Sequence, residues 1–279
     1  MVGHAPPAVR SPDGPPSHQP ARLWIRGLCS GAARDIDLQV RGGEIVGIAG
    51  ISGGGQIALA EAVAGARPLD KGEVFLDGEL LRAPGRSAQP SRALPHSPRL
   101  GYIPAEPLRN AVAPALPLAV NLAIHELRSL PFFVDRPALA RRAQSLLDRF
   151  AVRPADPWVA AGALSGGNLQ KLVAARELSQ QPAAVLACYP TMGLDVTATA
   201  QVYETLFGLA RDGVAVLWIS EDLDDLLRNA HRIAVMSEGR IVQVVEAHQT
   251  TAFELGGWMA GTSARACTDA LPASLEVCA

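Results

Sequence analysis

Apolar residues at the start of the chain fall in short runs broken by polar punctuation, the spacing of β-strands. Residues 22–26 and 36–40 read as two strands flanking a short polar connection, and 44–49 is a third, almost wholly apolar run ending at glycine. A glycine-rich loop, 50–55, follows directly, and the Ala- and Leu-rich residues 56–64 suit a helix. Short strands over 73–77 and 100–103 enclose 83–99, a Pro-, Ser- and Arg-rich irregular loop. A β-rich layer therefore feeds a strand, loop and helix unit.

The pattern changes over 105–181, where no strand is evident. Asp135 stands as an N-cap before Pro137 in a first helical turn, and Leu139, Leu146, Leu147 and Phe150 recur at helical spacing. Fully apolar β-type runs return at 183–187 and 214–219, separated by a helix over 196–211, the pattern of a parallel sheet covered on both faces. Residues 233–236 and 241–245 surround Ser237-Glu238-Gly239-Arg240, a hairpin turn. The predicted fold class is α/β. Residues 1–21, rich in Pro, Gly, Ser and His, read as a flexible arm, and the chain past 261 as a loose tail.

With 279 residues and 48% hydrophobic composition the chain buries a substantial core, and a net charge of −2 gives no general pull toward nucleic acid. The cationic side chains are nearly all arginine, since Lys71 and Lys171 are the only lysines. Cys29, Cys188, Cys267 and Cys278 show no metal-ligand spacing, and Cys188 lies within a buried-strand run. A reduced compartment fits them. The longest uncharged stretches, 110–125 and 178–194, contain Pro and Asn or Gln, so neither reads as a membrane span.

The most specific segment is Leu164-Ser165-Gly166-Gly167-Asn168-Leu169-Gln170-Lys171, continuing through Ala174-Ala175-Arg176-Glu177-Leu178. Ser165 is expected to cap a helix, with Gly166 and Gly167 leaving its first N–H donors open to an anion. This run resembles the signature motif of ABC ATPases. The other elements of that family then fall in order across 22–245, implying a P-loop NTPase core with an antiparallel β subdomain, over about 22–260, and a helical signature subdomain over about 105–181.

Set against that pattern, Gly50-Ile51-Ser52-Gly53-Gly54-Gly55-Gln56-Ile57, with Ala58 after it, aligns with the phosphate loop G-x-x-x-x-G-K-[ST]. Gln56 stands where lysine belongs and Ile57 where the Mg²⁺-binding hydroxyl belongs. Cys188 replaces the metal-linked aspartate and Tyr189 the glutamate expected to act as base. Glu221, in Ser220-Glu221-Asp222, replaces the histidine expected at the γ-phosphate; Ala105 falls at the usual glutamine; residues 29–33 lack the adenine-stacking aromatic. Asp195 of the D-loop, Gly193-Leu194-Asp195, is retained.

Removing one positioned donor from a phosphoryl-transfer site costs about 3–4 kcal/mol, so losing this whole set implies negligible hydrolysis at the chain's own loop. The loop amides still offer a nest for ATP or ADP phosphates. The resemblance further implies head-to-tail pairing, in which Leu164, Ser165, Gly166, Gly167, Asn168 and Gln170 serve ATP and Mg²⁺ bound by a consensus partner domain.

"GYIP" at 101–104, "PTMGLD" at 190–195 and "SEDLDDL" at 220–226 resemble the second half of sugar- and nucleoside-importer ATPases, with a lean toward the nucleoside branch. That implies permease subunits as partners, a periplasmic or lipoprotein binding protein indirectly, and a peripheral place on the cytoplasmic membrane face. Two other readings stay open: a non-functional or split-gene fragment, and a soluble ABC protein outside transport.

Overall fold

A computed structural model of the chain describes residues 19–85, 100–126, 135–180 and 182–261. Nearly all of the expected N-terminal arm, residues 86–99 of the irregular loop and the tail from 262 lie outside the described residues.

Two sheets organise the molecule. Strands β1 (Ala21–Ser30), β2 (Ala33–Arg41), β4 (Lys71–Leu76) and β5 (Glu79–Arg82) form an antiparallel sheet in the order β2-β1-β4-β5. Strands β3 (Ile45–Gly50), β6 (Leu100–Ile103), β7 (Ala184–Cys188), β8 (Ala215–Ile219), β9 (Arg232–Ser237) and β10 (Arg240–Glu246) form the second, in the order β10-β9-β3-β8-β7-β6. The second sheet is parallel except for the β9–β10 hairpin.

Alternation along the central strands explains their wholly apolar sequences. Ile45, Val185, Ala187, Val216, Trp218, Ile233 and Val235 face one core, while Val46, Ile48, Leu186, Cys188, Leu217, Ile219, Ala234 and Met236 face the other. Both faces are covered, so no polar position is tolerated on either. The first core is completed by helices α3 (Leu118–Leu122), α4 (Arg136–Arg149), α5 (Gly166–Leu178) and α6 (Val196–Arg211). The second is completed by α1 (Gln56–Ala64) and the antiparallel sheet. Helix α2 (Pro107–Asn110) is a single turn after β6.

Local signals explain the helix starts. Asp135 accepts from the Ala138 amide at 3.0 Å and Asp195 from the Ala198 amide at 2.9 Å, each capping its helix. The sequence reading ended the first strand at residue 26 and treated 29–33 as a loop. Instead β1 runs to Ser30 and β2 starts at Ala33, so the connection is only Gly31-Ala32. That reading also omitted β5, α7 (Leu223–Asn229) and α8 (Ala252–Met259). Asp222 caps α7 through the Asp225 amide, and Thr251 and Glu254 form a reciprocal capping box for α8. Both helices are short and rich in acidic or glycine residues, which obscures their periodicity.

Phe207 of α6 is 1% exposed and packs beside Tyr203, whose ring lies 5.0 Å from that of Trp218. Phe207→Ala opens a cavity between α6 and β8 and is expected to cost about 3–5 kcal/mol, read as a lower urea midpoint with an unchanged slope.

Candidate functional site

The carboxyl ends of the parallel strands bring the sequence-predicted residues together. β3 ends at Gly50 and the chain turns through the glycine loop, where the Gly54 amide bonds the Ile51 carbonyl at 2.8 Å. Gly55 adopts φ 101°, a left-handed conformation suited to glycine, and α1 starts at the next residue. A side chain at Gly55 would also crowd the Ala32 carbonyl and the Gly239 Cα at 3.1 and 3.2 Å. Ser52 and Gly53 are exposed, and Gly53 and Gly54 border an open cleft of about 330 Å³ shared with Ala32, Arg34, Glu238 and Gly239.

Gln56 does not reach outward. It is 2% exposed, and its Nε2 donates to the Ile51 carbonyl at 3.0 Å, so its amide is folded back into the loop that it follows. Ile57 is half-buried and Ala58 packs in the core of α1. Neither side chain carries an oxygen for a metal ion.

β7 and β8 run side by side with Cys188 paired to Ile219, placing the next residues of both strands beside the loop. Cys188 is fully buried, and burial, reinforced by Glu61, pushes its thiol pKa far up, so the group stays neutral. Tyr189 sits at φ 47°, a left-handed backbone conformation uncommon for a bulky residue. Its amide bonds the Ile219 carbonyl at 2.9 Å, and its carbonyl accepts from Gln170 Nε2 at 3.4 Å. Burial first, then the charge of nearby Glu221, raise the pKa of its phenol to about 12. Ser220 Oγ accepts from the Asp222 amide at 3.1 Å. Ala105, after β6, is half-buried against the same core as Tyr189. These side chains supply a neutral thiol, a neutral phenol and a carboxylate, which do not fit a divalent cation as a ligand set.

The second grouping lies at the N-terminus of α5. Leu164 is buried, while Ser165 and Gly166 are exposed. Ser165 occupies the N-cap position, yet its side chain makes no capping bond, contrary to expectation. Its Oγ instead accepts from Asn168 Nδ2 at 3.0 Å, and Asn168 Oδ1 accepts from the Arg153 amide at 2.8 Å. Asn168 therefore competes successfully for the serine oxygen. The first amides of α5 keep no side-chain acceptor from Ser165. A Cβ at Gly166 would meet nothing within 4 Å, whereas one at Gly167 would meet the Gly193 carbonyl at 2.8 Å. Gln170 is turned inward, and Lys171 Nζ lies 3.7 Å from Asp195. Asp195 has its pKa lowered, chiefly by the Ala198 amide.

Arg34 and Glu238 at the cleft went unnoticed in the sequence. The cue was the β9–β10 hairpin, whose Gly239 carbonyl accepts from the Arg34 amide at 2.7 Å and carries the turn to the phosphate loop.

With this arrangement established, comparison with known proteins is decisive, because the ABC transporter sequence profile matches residues 33–191. The chain belongs to the ABC transporter family. This ABC chain is 36% identical over 234 residues to the guanosine import ATP-binding protein NupO of Bacillus subtilis, covering 82% of the chain and 45% of NupO. It is 35% identical over 233 residues to the ribose import ATP-binding protein RbsA 1 of Rubrobacter xylanophilus, covering 82% and 46%. It therefore spans about half the length of the curated relatives it matches. A dimeric ATP-binding cassette solved in a post-hydrolysis state with ADP and Pi superposes with a TM-score of 0.68 at 19% identity, covering 81% of this chain and 99% of that one. The expected P-loop NTPase type of fold is thereby found.

The phenol of Tyr189 gives a direct test of this geometry. Tyr102 and Tyr203 are also shifted upward, by burial foremost, so none of the three tyrosines ionises at its ordinary value. Absorbance titration of the folded chain should show no tyrosinate near pH 10 and a first component near pH 12. Glu221→Gln removes a negative neighbour and should bring that component down. Because the folded-state pKa is raised, the stabilising contribution is full below pH 10 and is lost as pH rises toward about 12.

Proposed function

We propose that this chain is the non-hydrolysing ATP-binding half of an ABC importer for sugars or nucleosides, and that it works by completing a partner's ATP site. The carrying observation is the contrast between two loops. The N-terminus of α5 presents open amides beside an exposed Gly166, while the phosphate loop has its Gln56 amide folded inward and a neutral thiol and phenol at the strand end. In this reading residues 22–260 are one nucleotide-binding domain with a helical signature subdomain over about 105–181, residues 1–21 an arm or linker and 261–279 a tail.

The chemistry follows from the residues. Without a lysine, an Mg²⁺ hydroxyl, a metal carboxylate or a base, the chain's own loop lacks the charge stabilisation that phosphoryl transfer needs. Backbone donors of the glycine loop other than the Gly54 amide, which is bonded to Ile51, still suit phosphates, so weak nucleotide binding is retained. Ser165, Gly166 and Gly167 reach the γ-phosphate of ATP held with Mg²⁺ by a consensus ABC domain paired head to tail. That Gly166 faces open space supports this assignment, since nothing in its own chain demands glycine there.

The names of the relatives support import. Among the described residues no helix is long and apolar enough to cross a membrane. Attachment on the cytoplasmic face is accordingly assigned to permease subunits, with a binding protein acting through them and no nucleic acid involved.

Purified alone, the chain should show no ATPase above buffer, and Gln56→Lys by itself should not restore any, since positions 188 and 189 still offer no carboxylate. Mg²⁺-dependent turnover abolished by a Gly55 variant would overturn this. The trans role is tested in the complex isolated with the tagged chain from its own membranes and reconstituted in liposomes. Ser165→Arg or Gly166→Asp should reduce ATPase and ATP-driven uptake at least a hundredfold, with Gln56→Ala and Tyr189→Phe within about threefold of the parent. Equal tolerance of both groups sinks the trans-acting reading.

A further inference from the structure

Helix α5 carries the signature at one end and, at the other, a buried polar cluster that the nucleotide site does not use. Arg176 and Glu177 are each 3% exposed. Three donors from three segments converge on the Glu177 carboxylate. Arg176 Nε lies 2.7 Å and His125 Nε2 2.9 Å from Oε1, and the Tyr102 amide, on β6, lies 3.3 Å from Oε2. A carboxylate only accepts here, so His125 donates its Nε2 proton.

The cluster extends beyond the glutamate. Arg176 Nη1 donates to the Ala111 carbonyl at 2.7 Å. Asn121, 1% exposed, accepts from the Ala113 amide at 2.8 Å and donates to the carbonyls of Ala113, Leu116 and Pro117, each at 3.1 Å. One carboxylate thus ties β6 of the parallel sheet to α5 and, through Arg176 and His125, to residues 111–125. Buried charge of this kind contributes little net stability, because desolvation offsets the attraction. Its effect is geometric: the three segments have one arrangement in which every donor is satisfied.

We infer that Glu177 is the positioning residue of the signature, fixing the tilt of α5 against the sheet so that Gly166 and its neighbours meet the partner's phosphate. This rests on the trans-acting reading for its consequence, though not for its geometry. Ala105 leaves the loop after β6 without a long polar side chain, and the Tyr102–Glu177 bond supplies a polar link from that strand to α5. Glutamine cannot substitute, since its amide offers one accepting oxygen and turns an NH₂ group toward a donor.

The test uses spin labels at Ser145→Cys on α4 and Asp212→Cys after α6 in the full chain, with Cys29, Cys267 and Cys278 changed to serine and the buried Cys188 left in place. Glu177→Ala and Glu177→Gln, each checked for native circular dichroism, are expected to at least double the width of the label-to-label distance distribution. Leu147→Ala, which lowers stability through the apolar core, should leave that width unchanged and so separates positioning from a general loss of stability. A parental width in both folded Glu177 variants overturns the inference. In the reconstituted complex, the same variants should lower ATPase at least tenfold. A widened distribution with undiminished ATPase leaves the positioning intact and defeats the trans-acting reading instead.

Discussion

The constraint on which the molecule depends is the burial of the parallel sheet on both faces. Strands β3, β7 and β8 and the middle of β9 have no face that water can reach, so their backbone groups must pair with each other and their side chains must be apolar. Polar residues are displaced to the strand ends. Since the strands run parallel, those ends coincide, and the glycine loop, Tyr189 and Ser220-Glu221 are gathered there by topology alone. The fold would gather them whatever their side chains were.

That independence leaves the scaffold indifferent to which side chains stand at the strand ends. Cys188 fills the last buried position of β7 as a small apolar group, a role indifferent to ionisation. Tyr189 is held between the Ile219 carbonyl and Gln170, and the hydrogen bond from its amide to Ile219 joins the ends of β7 and β8 without a ligand. Gln56 likewise satisfies a loop carbonyl from within. Each of these three residues is locally consistent: Gln56 and Tyr189 make hydrogen bonds and the buried Cys188 thiol is neutral.

Much of this was legible beforehand. Apolar runs at 44–49, 183–187 and 214–219 located the sheet because a doubly covered strand leaves an unmistakable pattern, and Asp135 marked a helix start because its capping chemistry is local. Helices α7 and α8 were missed because they are only 7 and 8 residues long and much of each faces water, while the caps Asp222 and Thr251 sit in polar stretches that read as loop. The hydroxyl of Ser165 was misjudged for another reason: Asn168 competes for it, and such competition is decided by side-chain reach rather than by residue type. The inward turn of Gln56 is a choice of side-chain conformation, and the cleft at Arg34 and Glu238 joins opposite ends of the domain's sequence. No local pattern encodes either.

Helix α5 also has a consequence in angular terms. Its 13 residues make a rod about 20 Å long, so a pivot of only about 3° at its base carries the tip through about 1 Å. A displacement of that size is enough to take a donor out of hydrogen-bonding geometry with a phosphate oxygen. The tolerance at the tip is therefore set by stiffness at the base, so sequence changes around residues 111–125, about 20 Å of helix away, can move the exposed start of α5 without touching it.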